Sequence, residues 1–346
     1  MNKKLLIITT SVKTFSYILK EQPAYLNKYF SVCVGSSESE LIKKYAVIQG
    51  VKYLSIPMYR KINPISDIKS IFYLIIELLK YRPDIIHSYT PKAGMVCAIS
   101  GYLCRIPIRI HTFTGLIFPY KKPFMHFILK IIDSLICKLT THIIAEGQGV
   151  KRLLFENNIT NKAIHIIGNG NIAGVDTQFF NPDNFVESEQ VNKIRRKLNI
   201  NENTITFIFA GRINQDKGML ELLSAYSEKN YENINLIILG EFETKKFELK
   251  INSMIENTNN KIWLEGWKDD IRPYLFISDC FILPSYREGF PNVLLQTGAM
   301  MLPSIVANVP GSNEIIINNY NGWIYNSKSS VELGKRMDDV ISMPQP

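Results

Sequence analysis

Residues 279–301 read DCFILPSYREGFPNVLLQTGAMM, and this stretch decides the fold. Residues 279–285 form an apolar run that ends in a turn, which is typical of a buried parallel strand. The small and apolar residues 293–301 predict a helix after Pro291. Glu288 therefore lies at the carboxyl end of a strand, on the loop that leads into a helix. Backbone N–H groups at such a helix N-terminus bind anions, so the pattern indicates a site for a group such as a diphosphate.

Gln296 follows Glu288 by eight residues on the predicted helix. Eight helical residues rise about 12 Å, so the two side chains could hold separate parts of one long ligand. A solvated Glu beside an ordinary loop, with a Gln on a helix surface, is the alternative interpretation.

Two cations follow a second predicted strand. Residues 205–210 are apolar, and GRINQDKG follows at 211–218 before a helical pattern through Tyr226. Arg212 and Lys217 therefore lie between the end of a strand and the start of a helix, where positive charge and helix N–H groups together suit a diphosphate. Further strands are predicted at residues 235–240 and 262–267.

The C-terminal half resembles the nucleotide-binding domain of retaining glycosyltransferases with the GT-B fold, family 4 of the sequence classification. The resemblance is strongest over residues 205–325 and continues more weakly before them. The matching segments are Ala210-Gly211-Arg212 with Lys217 and Gly218, Gly266-Trp267-Lys268-Asp269-Asp270-Ile271, the run from Pro284 to Asn292, and Pro310-Gly311-Ser312-Asn313-Glu314.

The resemblance implies a role for each matching position. Arg212 and Lys217 would neutralise the diphosphate of a sugar nucleotide, and Glu288 would accept hydrogen bonds from hydroxyls of the donor sugar. A Glu that binds the ribose is usual at the position of Gln296, where the amide keeps one acceptor oxygen and adds a donor. The implied donor-binding set is Arg212, Lys217, Gly266, Trp267, Glu288, Gly289, Phe290, Pro291, Asn292 and Gln296.

The N-terminal half alternates apolar and helical segments, which predicts parallel strands with helices on both faces. We therefore expect an α/β protein of the GT-B type, with two facing Rossmann-like domains at residues 1–180 and 181–346. A linker is expected between residues 168 and 203, and the ligand in the cleft between the domains. The resemblance implies a last helix that returns to the N-terminal domain, and we expect that helix to be absent here. The predicted N-terminal strands are at residues 5–8, 30–34, 84–87, 108–112, 142–145 and 164–167.

The N-terminal domain supplies candidate residues for the acceptor. The first strand is followed by SVKTF at residues 11–15 without a glycine, which argues against a nicotinamide or flavin enzyme. Thr90 and Lys92 follow another strand, and Lys92 with Arg60 would suit an acceptor diphosphate. The resemblance implies that His111 contacts the donor sugar or the transferred group; a strand-end His with satisfied hydrogen bonds is the alternative. The implied catalytic set is His111, Arg212, Lys217 and Glu288.

Composition limits the partners and cofactors. The chain has 346 residues and a net charge of +9, with a pI near 9.1. It has no zinc-finger spacing, aromatic–basic RNA motif or long basic block, so we expect no nucleic-acid partner. It has no Asp-x-Asp pattern either, so we expect no metal cofactor, with Lys217, Arg212 and a helix N-terminus supplying the positive charge. The five cysteines are scattered, which favours reduced thiols in the cytoplasm.

The apolar stretch 123–137 contains Lys130 and Asp133 and is too short to span a membrane. Nearby lysines could let one face of it lie on anionic lipid, and a core helix with a solvated edge is the alternative. We therefore expect a cytoplasmic protein, with peripheral contact to the inner face of the plasma membrane as a further hypothesis. The lysines are Lys121, Lys122, Lys130 and Lys138.

The leading interpretation is a retaining, metal-independent glycosyltransferase that uses a nucleotide-diphosphate sugar, with UDP as the default nucleotide. Its acceptor would be a lipid-linked oligosaccharide or a polysaccharide, because the chain looks most like enzymes of capsule, O-antigen or exopolysaccharide assembly. A sugar-nucleotide 2-epimerase of the same fold is one alternative, and it would act on free UDP-sugar. A non-catalytic sugar-nucleotide-binding partner is the other, and it would bind nucleotide without turnover.

Overall fold

A computed structural model describes the chain except residues 1, 60–62, 229–231 and 344–346. The chain forms two compact units, Met1–Ala173 and Gly174–Pro346. The division lies a few residues before the predicted one at residue 180.

The N-terminal unit is built on a parallel sheet with seven strands among the described residues, in the order β3-β2-β1-β4-β5-β6-β7. The strands are β1 Lys4–Ile8, β2 Ser31–Ser36, β3 Lys52–Ser55, β4 Ile85–Tyr89, β5 Ile108–Phe113, β6 His142–Ala145 and β7 Ile164–His165. The helices are α1 Val12–Thr14, α2 Gln22–Leu26, α3 Ser39–Gln49, α4 Pro64–Tyr81, α5 Pro91–Leu103, α6 Pro123–Leu139 and α7 Gln148–Glu156.

Side chains of β1 show why this sheet is covered on both faces. Leu5 and Ile7 pack in one apolar cluster with residues of α3, whereas Leu6 and Ile8 pack in a second cluster with residues of α4 and α5. Successive side chains of a strand point to opposite faces, so an unbroken apolar run needs a helix layer on each side. The order of the sheet reverses between β1 and β4.

The C-terminal unit has a second parallel sheet, with six strands in its described part, in the order β10-β9-β8-β11-β12-β13. The strands are β8 Ile205–Ala210, β9 Ile234–Leu239, β10 Lys261–Gly266, β11 Cys280–Leu283, β12 Ser304–Ala307 and β13 Gly322–Tyr325. The helices are α8 Glu189–Lys197, α9 Met219–Ser227, α10 Lys245–Glu256, α11 Arg272–Phe276, α12 Asn292–Ala299, α13 Ser312–Ile315 and α14 Ser330–Ile341. Two open parallel sheets with helices match the predicted GT-B class.

Sequence patterns found ten of the thirteen strands in the described residues and missed three. The six predicted N-terminal strands are confirmed as β1, β2, β4, β5, β6 and β7. The predictions did not include β3, β12 or β13. Strand β3 is exposed or half-buried along its length, so its residues form no apolar block.

The predicted linker at 168–203 is wrong for its second half. This region contains α8, and the buried side chains of Phe180 and Phe185 belong to the core of the C-terminal unit. Arg272 holds the segment in place: its guanidinium lies 3.4 Å from the centroid of the Phe179 ring and is paired with Asp270 at 2.7 Å. The cation–π contact and a hydrogen bond from Arg272 Nη1 to the carbonyl oxygen of Phe179 at 2.9 Å therefore attach the segment to α11, and the pair with Asp270 orients the guanidinium.

Candidate functional site

The loops that follow β8 and β11 meet where the order of the C-terminal sheet reverses. These strands are parallel neighbours, so their carboxyl ends lie at the same edge, which is where open α/β sheets bind ligands. Gly218 shows how closely the loops approach. Its φ is 68°, and a Cβ built on it would lie 1.9 Å from the carbonyl oxygen of Pro284. Only glycine fits this contact.

Lys217 and Glu288 form an ion pair across this junction. Lys217 Nζ lies 2.5 Å from Glu288 Oε1, and only 20% and 11% of the two side chains are exposed. The N–H of Lys217 donates to Asn214 Oδ1 at 2.9 Å, so a buried Asn fixes the turn that carries the lysine. Two residues that the sequence placed 71 positions apart are therefore in direct contact.

Arg212 has a different partner from the one that its motif suggests. Its Nη1 lies 3.4 Å from Glu243 Oε1, and both side chains are about half exposed. The other oxygen of Glu243 accepts a hydrogen bond from Asn214 Nδ2 at 3.1 Å. Glu243 was not predicted to belong to the site, although its position just after the predicted strand 235–240 was a usable signal.

Further polar contacts tie the loop after β11 to the loop after β8. Arg287 Nη2 lies 2.8 Å from Asp216 Oδ2, and the N–H of Tyr286 donates to the carbonyl oxygen of Asp216 at 2.8 Å. The Tyr286 hydroxyl donates to Glu221 Oε1 at 2.5 Å. Burial, followed by the hydrogen bond to Glu221, raises the pKa of Tyr286 above its usual range. These residues were also missed, because their pairing depends on the loops meeting in space.

Helix α12 begins at Asn292, directly after the Glu288 loop. Pro291 precedes it as the N-cap residue and is buried. Gly311 packs against the backbone of the loop that precedes α12. Its φ is 82°, and a Cβ on it would lie 2.3 Å from the carbonyl oxygen of Gly289. The loop of residues 289–291 is therefore held from behind, and the first turn of α12 is fixed next to the Lys217–Glu288 pair.

Gln296 lies on α12 one turn beyond Asn292 and is partly exposed. The predicted rise of about 12 Å between Glu288 and Gln296 assumed eight helical residues. Because α12 begins at Asn292, only four residue steps are helical, which gives a rise of about 6 Å for that part.

Gly266 and Trp267 lie at the same edge of the sheet, at the end of β10. Strand β9 separates β10 from β8, so these residues are about 10 Å from the junction of the two loops across the sheet. Gly266 has a φ of 67°, and its carbonyl oxygen accepts a hydrogen bond from the N–H of Gly240 at 2.8 Å. Trp267 is 47% exposed, and its indole N–H donates to Asp269 at 3.1 Å.

His111 of the N-terminal unit is fully enclosed at the end of β5. Its Nδ1 lies 2.9 Å from Ser88 Oγ, and its ring meets Phe113 edge-on at 4.5 Å between centroids. A Cβ on Gly94 would lie 2.4 Å from His111 Cε1, so α5 approaches the imidazole directly. Burial, and secondarily the neighbouring His87, lower the pKa of His111 to about 3. His111 is therefore neutral near pH 7, where it can donate or accept a hydrogen bond.

Thr90 and Lys92 lie where the order of the N-terminal sheet reverses. Thr90 has a φ of 69°, which is strained for a β-branched residue, and its hydroxyl lies 2.8 Å from that of Thr10 after β1. Lys92 Nζ lies 2.5 Å from Asp67 Oδ1, and each side chain is only 9% exposed. The predicted acceptor lysine therefore already has a buried carboxylate partner on α4. The third acceptor candidate, Arg60, lies outside the described residues.

The described residues contain no group of three or more His, Cys, Asp or Glu side chains placed to hold a metal ion. Each of the five cysteines is a free thiol, and all except Cys104 are buried. None of the helices within the described part of the chain is both long and apolar enough to cross a membrane.

Two family models match the chain in succession. The model for Glycosyltransferase Family 4 matches residues 28–177, and the model for glycosyl transferases group 1 matches residues 190–346. The second match lies within the C-terminal unit, and the first covers the N-terminal unit from residue 28 and ends at residue 177, just beyond Ala173.

Named relatives align over most of the chain. The capsular polysaccharide biosynthesis glycosyltransferase CapM of Staphylococcus aureus is 27% identical over 99% of this chain and 88% of that protein. The UDP-Gal:alpha-D-GlcNAc-diphosphoundecaprenol alpha-1,3-galactosyltransferase of Escherichia coli is 28% identical over 88% of this chain and 79% of that protein. Among solved structures, Anabaena HepE in complex with UDP-glucose has a TM-score of 0.80 at 17% identity, covering 98% of this chain and 90% of that one. This last likeness shows the fold alone.

Proposed function

The chain belongs to the family 4, group 1 glycosyltransferases, and we propose that it transfers a sugar from a UDP-sugar to a lipid-linked or polysaccharide acceptor in surface-polysaccharide assembly. The names of its relatives support both substrates. The Escherichia coli relative is named for a UDP-galactose donor and a diphosphoundecaprenol acceptor, and CapM is named for capsular polysaccharide synthesis. The HepE structure with UDP-glucose supports UDP as the nucleotide.

The donor site is proposed from one observation: Lys217 and Glu288 meet beside the N-terminus of α12. The lysine and the helix N–H groups would bind the diphosphate, and Arg212 would add charge from the same loop. Lys217 pairs with Glu288, so a diphosphate that binds the lysine competes with this carboxylate. Glu288 would then be released to accept hydrogen bonds from the donor-sugar hydroxyls.

The proposed reaction exchanges one bond at the anomeric carbon for another on the same face of the sugar. The bond from this carbon to the diphosphate oxygen breaks, and a bond to the acceptor hydroxyl oxygen forms. The hydroxyl proton passes to the departing diphosphate, which leaves as UDP. Lys217, Arg212 and the amides of α12 would stabilise the negative charge that develops on the diphosphate, and we propose that this replaces a metal ion.

In the N-terminal unit, we propose that neutral His111 acts as a hydrogen-bond donor to the transferred group. Its low pKa supports this role over that of a general acid near pH 7. Thr90 is proposed to contact the acceptor, because strained backbone at the reversal of sheet order is common at binding sites. For Lys92, direct contact with an acceptor diphosphate would require breaking the buried pair with Asp67.

The test is a binding screen followed by a transfer assay. UDP, GDP, ADP and TDP, each with its sugar conjugates, are compared by thermal shift and calorimetry on the wild type and on Lys217→Ala. Lys245→Ala is the matched control, since this lysine also pairs with a glutamate, Glu248 at 3.4 Å, but is 81% exposed on α10.

We expect UDP to stabilise the wild type and the Lys245→Ala variant but not Lys217→Ala. Transfer from the UDP-sugars is then measured on an undecaprenyl-diphosphate-linked sugar, with retention read from the anomeric configuration of the product. A chelator should leave the rate unchanged. A protein that is folded but binds no uridine nucleotide would contradict the proposal.

A further inference from the structure

Helix α4 is apolar on the face that packs against the protein and also on the opposite face. Its buried side includes Leu74 and Leu78. At about 100° per residue, the outer apolar residues fall on an arc of about 80°. Their exposed fractions are 71% for Ile65, 55% for Ile68, 65% for Phe72, 52% for Ile76 and 60% for Leu79. A helix that is apolar on all sides normally lies inside a protein or a membrane, so this outer stripe needs a covering partner.

Helix α6 carries a second exposed stripe in its first turns. Phe124 is 75% exposed, Phe127 is 62% exposed and Ile131 is 50% exposed. Helices α4 and α6 each pack against α5, and right-handed crossovers place all three on one face of the N-terminal sheet. The two stripes, which we call the α4/α6 surface, therefore belong to one helix layer.

The charges around the α4/α6 surface are almost all positive. Acidic side chains in these two helices are neutralised or buried: Asp67 pairs with Lys92, Glu77 pairs with Lys80 at 2.8 Å, and Asp133 is buried with its pKa raised to about 7 by that burial. An apolar stripe bordered by lysines complements a surface with an apolar interior and anionic head groups. The exposed lysines of the border are Lys69, Lys121, Lys122 and Lys138, whereas the charge of Lys80 is offset by Glu77.

We propose that the α4/α6 surface docks onto an anionic lipid bilayer, with both helices lying in the head-group region. The surface would bring the proposed transferase to a lipid-linked acceptor. Only this purpose rests on the proposed function, whereas docking itself does not. The lysine border favours lipid over a second copy of this basic chain, since two such surfaces would repel each other.

The test uses the full chain and vesicles of equal parts phosphatidylglycerol and phosphatidylethanolamine, with phosphatidylcholine vesicles as the neutral comparison. The wild type should sediment with the anionic vesicles, and added salt should weaken this binding. Ile68→Glu combined with Phe72→Glu should reduce vesicle binding by about tenfold or more, since each change removes an inserted apolar side chain and adds a repelled charge. Replacing Lys121 and Lys122 with Gln should reduce it by about fivefold for each lysine.

The matched control is Val47→Glu combined with Ile48→Glu. These residues of α3 are 72% and 80% exposed, and α3 packs on the other face of the sheet. Control and wild type should bind vesicles equally, and all variants should keep UDP binding and transfer to a short-chain, water-soluble acceptor.

Absence of wild-type binding to anionic vesicles, or equal binding by the Ile68→Glu/Phe72→Glu variant, would overturn the proposal. A wild-type dimer in solution that the Ile68→Glu/Phe72→Glu variant dissociates, without any vesicle binding, would also overturn the proposal. Vesicle binding in a protein that fails to bind UDP would refute the proposed donor site and leave the docking surface supported.

Discussion

Replacing Glu288 with Gln is expected to strengthen UDP binding while impairing sugar transfer. Glu288 pairs with Lys217 at 2.5 Å and so competes with a diphosphate for the lysine. The amide removes both the competitor and a negative charge beside the diphosphate. It also removes the carboxylate that we propose binds the sugar hydroxyls, so the bound donor should react more slowly.

The magnitude follows from the exposure of the pair. With 20% of Lys217 and 11% of Glu288 exposed, the contact is partly screened and is assigned about 0.5–1.5 kcal/mol. Releasing that competition lowers the Kd for UDP by about 2- to 12-fold. Lys217→Ala instead removes a charged hydrogen bond to phosphate of about 1.5–3 kcal/mol and raises the Kd by about 10- to 150-fold.

The assay is calorimetric titration of UDP into the wild type, Glu288→Gln, Lys217→Ala and the double variant. Glu248→Gln on α10 is the control for loss of a paired surface carboxylate, and its Kd should match that of the wild type. The double variant should bind UDP only slightly more tightly than Lys217→Ala, because no competition remains once the lysine is absent and only the repulsion between Glu288 and the diphosphate is removed. If Glu288→Gln weakened UDP binding as much as Lys217→Ala, Glu288 would be a direct nucleotide contact and the competition argument would be refuted.

Four further measurements test other parts of the structure. Gln296→Glu should tighten the binding of UDP about fivefold if the ribose hydroxyls donate to this position, since a carboxylate is the stronger acceptor by about 1 kcal/mol. Calorimetry with UDP and with uridine measures this change, and equal affinities of the wild type and the variant would exclude the contact. Gly94→Ala places a methyl group 2.4 Å from His111 Cε1 and should destabilise the protein by about 1–3 kcal/mol in urea unfolding. Gly50→Ala is the comparison: a Cβ there meets open space, so this variant reports only the backbone cost of a φ of 64°. Lys92→Met should cost about 3–5 kcal/mol of stability by leaving Asp67 buried without a partner, and adding Asp67→Leu should restore most of it; an unaffected single variant would contradict the buried pair. Burial lowers the folded-state pKa of both His111 and His87 to about 3, below the unfolded value near 6.5, so the unfolded chain binds these protons first. Their contribution to stability is complete above about pH 6.5 and falls by about 1.4 kcal/mol per pH unit for each histidine as the pH drops toward 3. His111→Gln should therefore remove about half of this slope, measured by urea unfolding.

Sequence patterns predicted the sheet frame because burial on both faces leaves a mark in consecutive residues. The runs that became β1, β8 and β9 are apolar except for one residue each, Lys4, Thr206 and Asn235, so strand type could be predicted from composition. The loops after β8 and β11 were predicted to form the site because Arg212, Lys217 and Glu288 follow such runs. Strands β3, β12 and β13 and helix α8 were not predicted; in α8 only Val191 and Ile194 are buried, among polar and charged residues.

Partners within the site could not be predicted in the same way. Each of the ion pairs Lys217–Glu288, Arg212–Glu243 and Lys92–Asp67 joins residues at least 25 positions apart, and each charge alone is as typical of a solvated surface as of a binding site. The predicted acceptor role of Lys92 overlooked Asp67 for this reason.

The sequence by itself determined that two parallel α/β units form, and which loops leave the strand ends, because apolar periodicity and turn residues are local properties. The tertiary structure decided which loops meet, which charges neutralise each other and which apolar side chains remain exposed. Gly218 was only one of several loop glycines in the sequence, and contact with Pro284 shows why no larger residue fits. Phe72 lies in an apolar helix, and only the packing of α4 shows that it faces outward. Such outcomes depend on the order of strands in a sheet, which places residues far apart in the chain side by side.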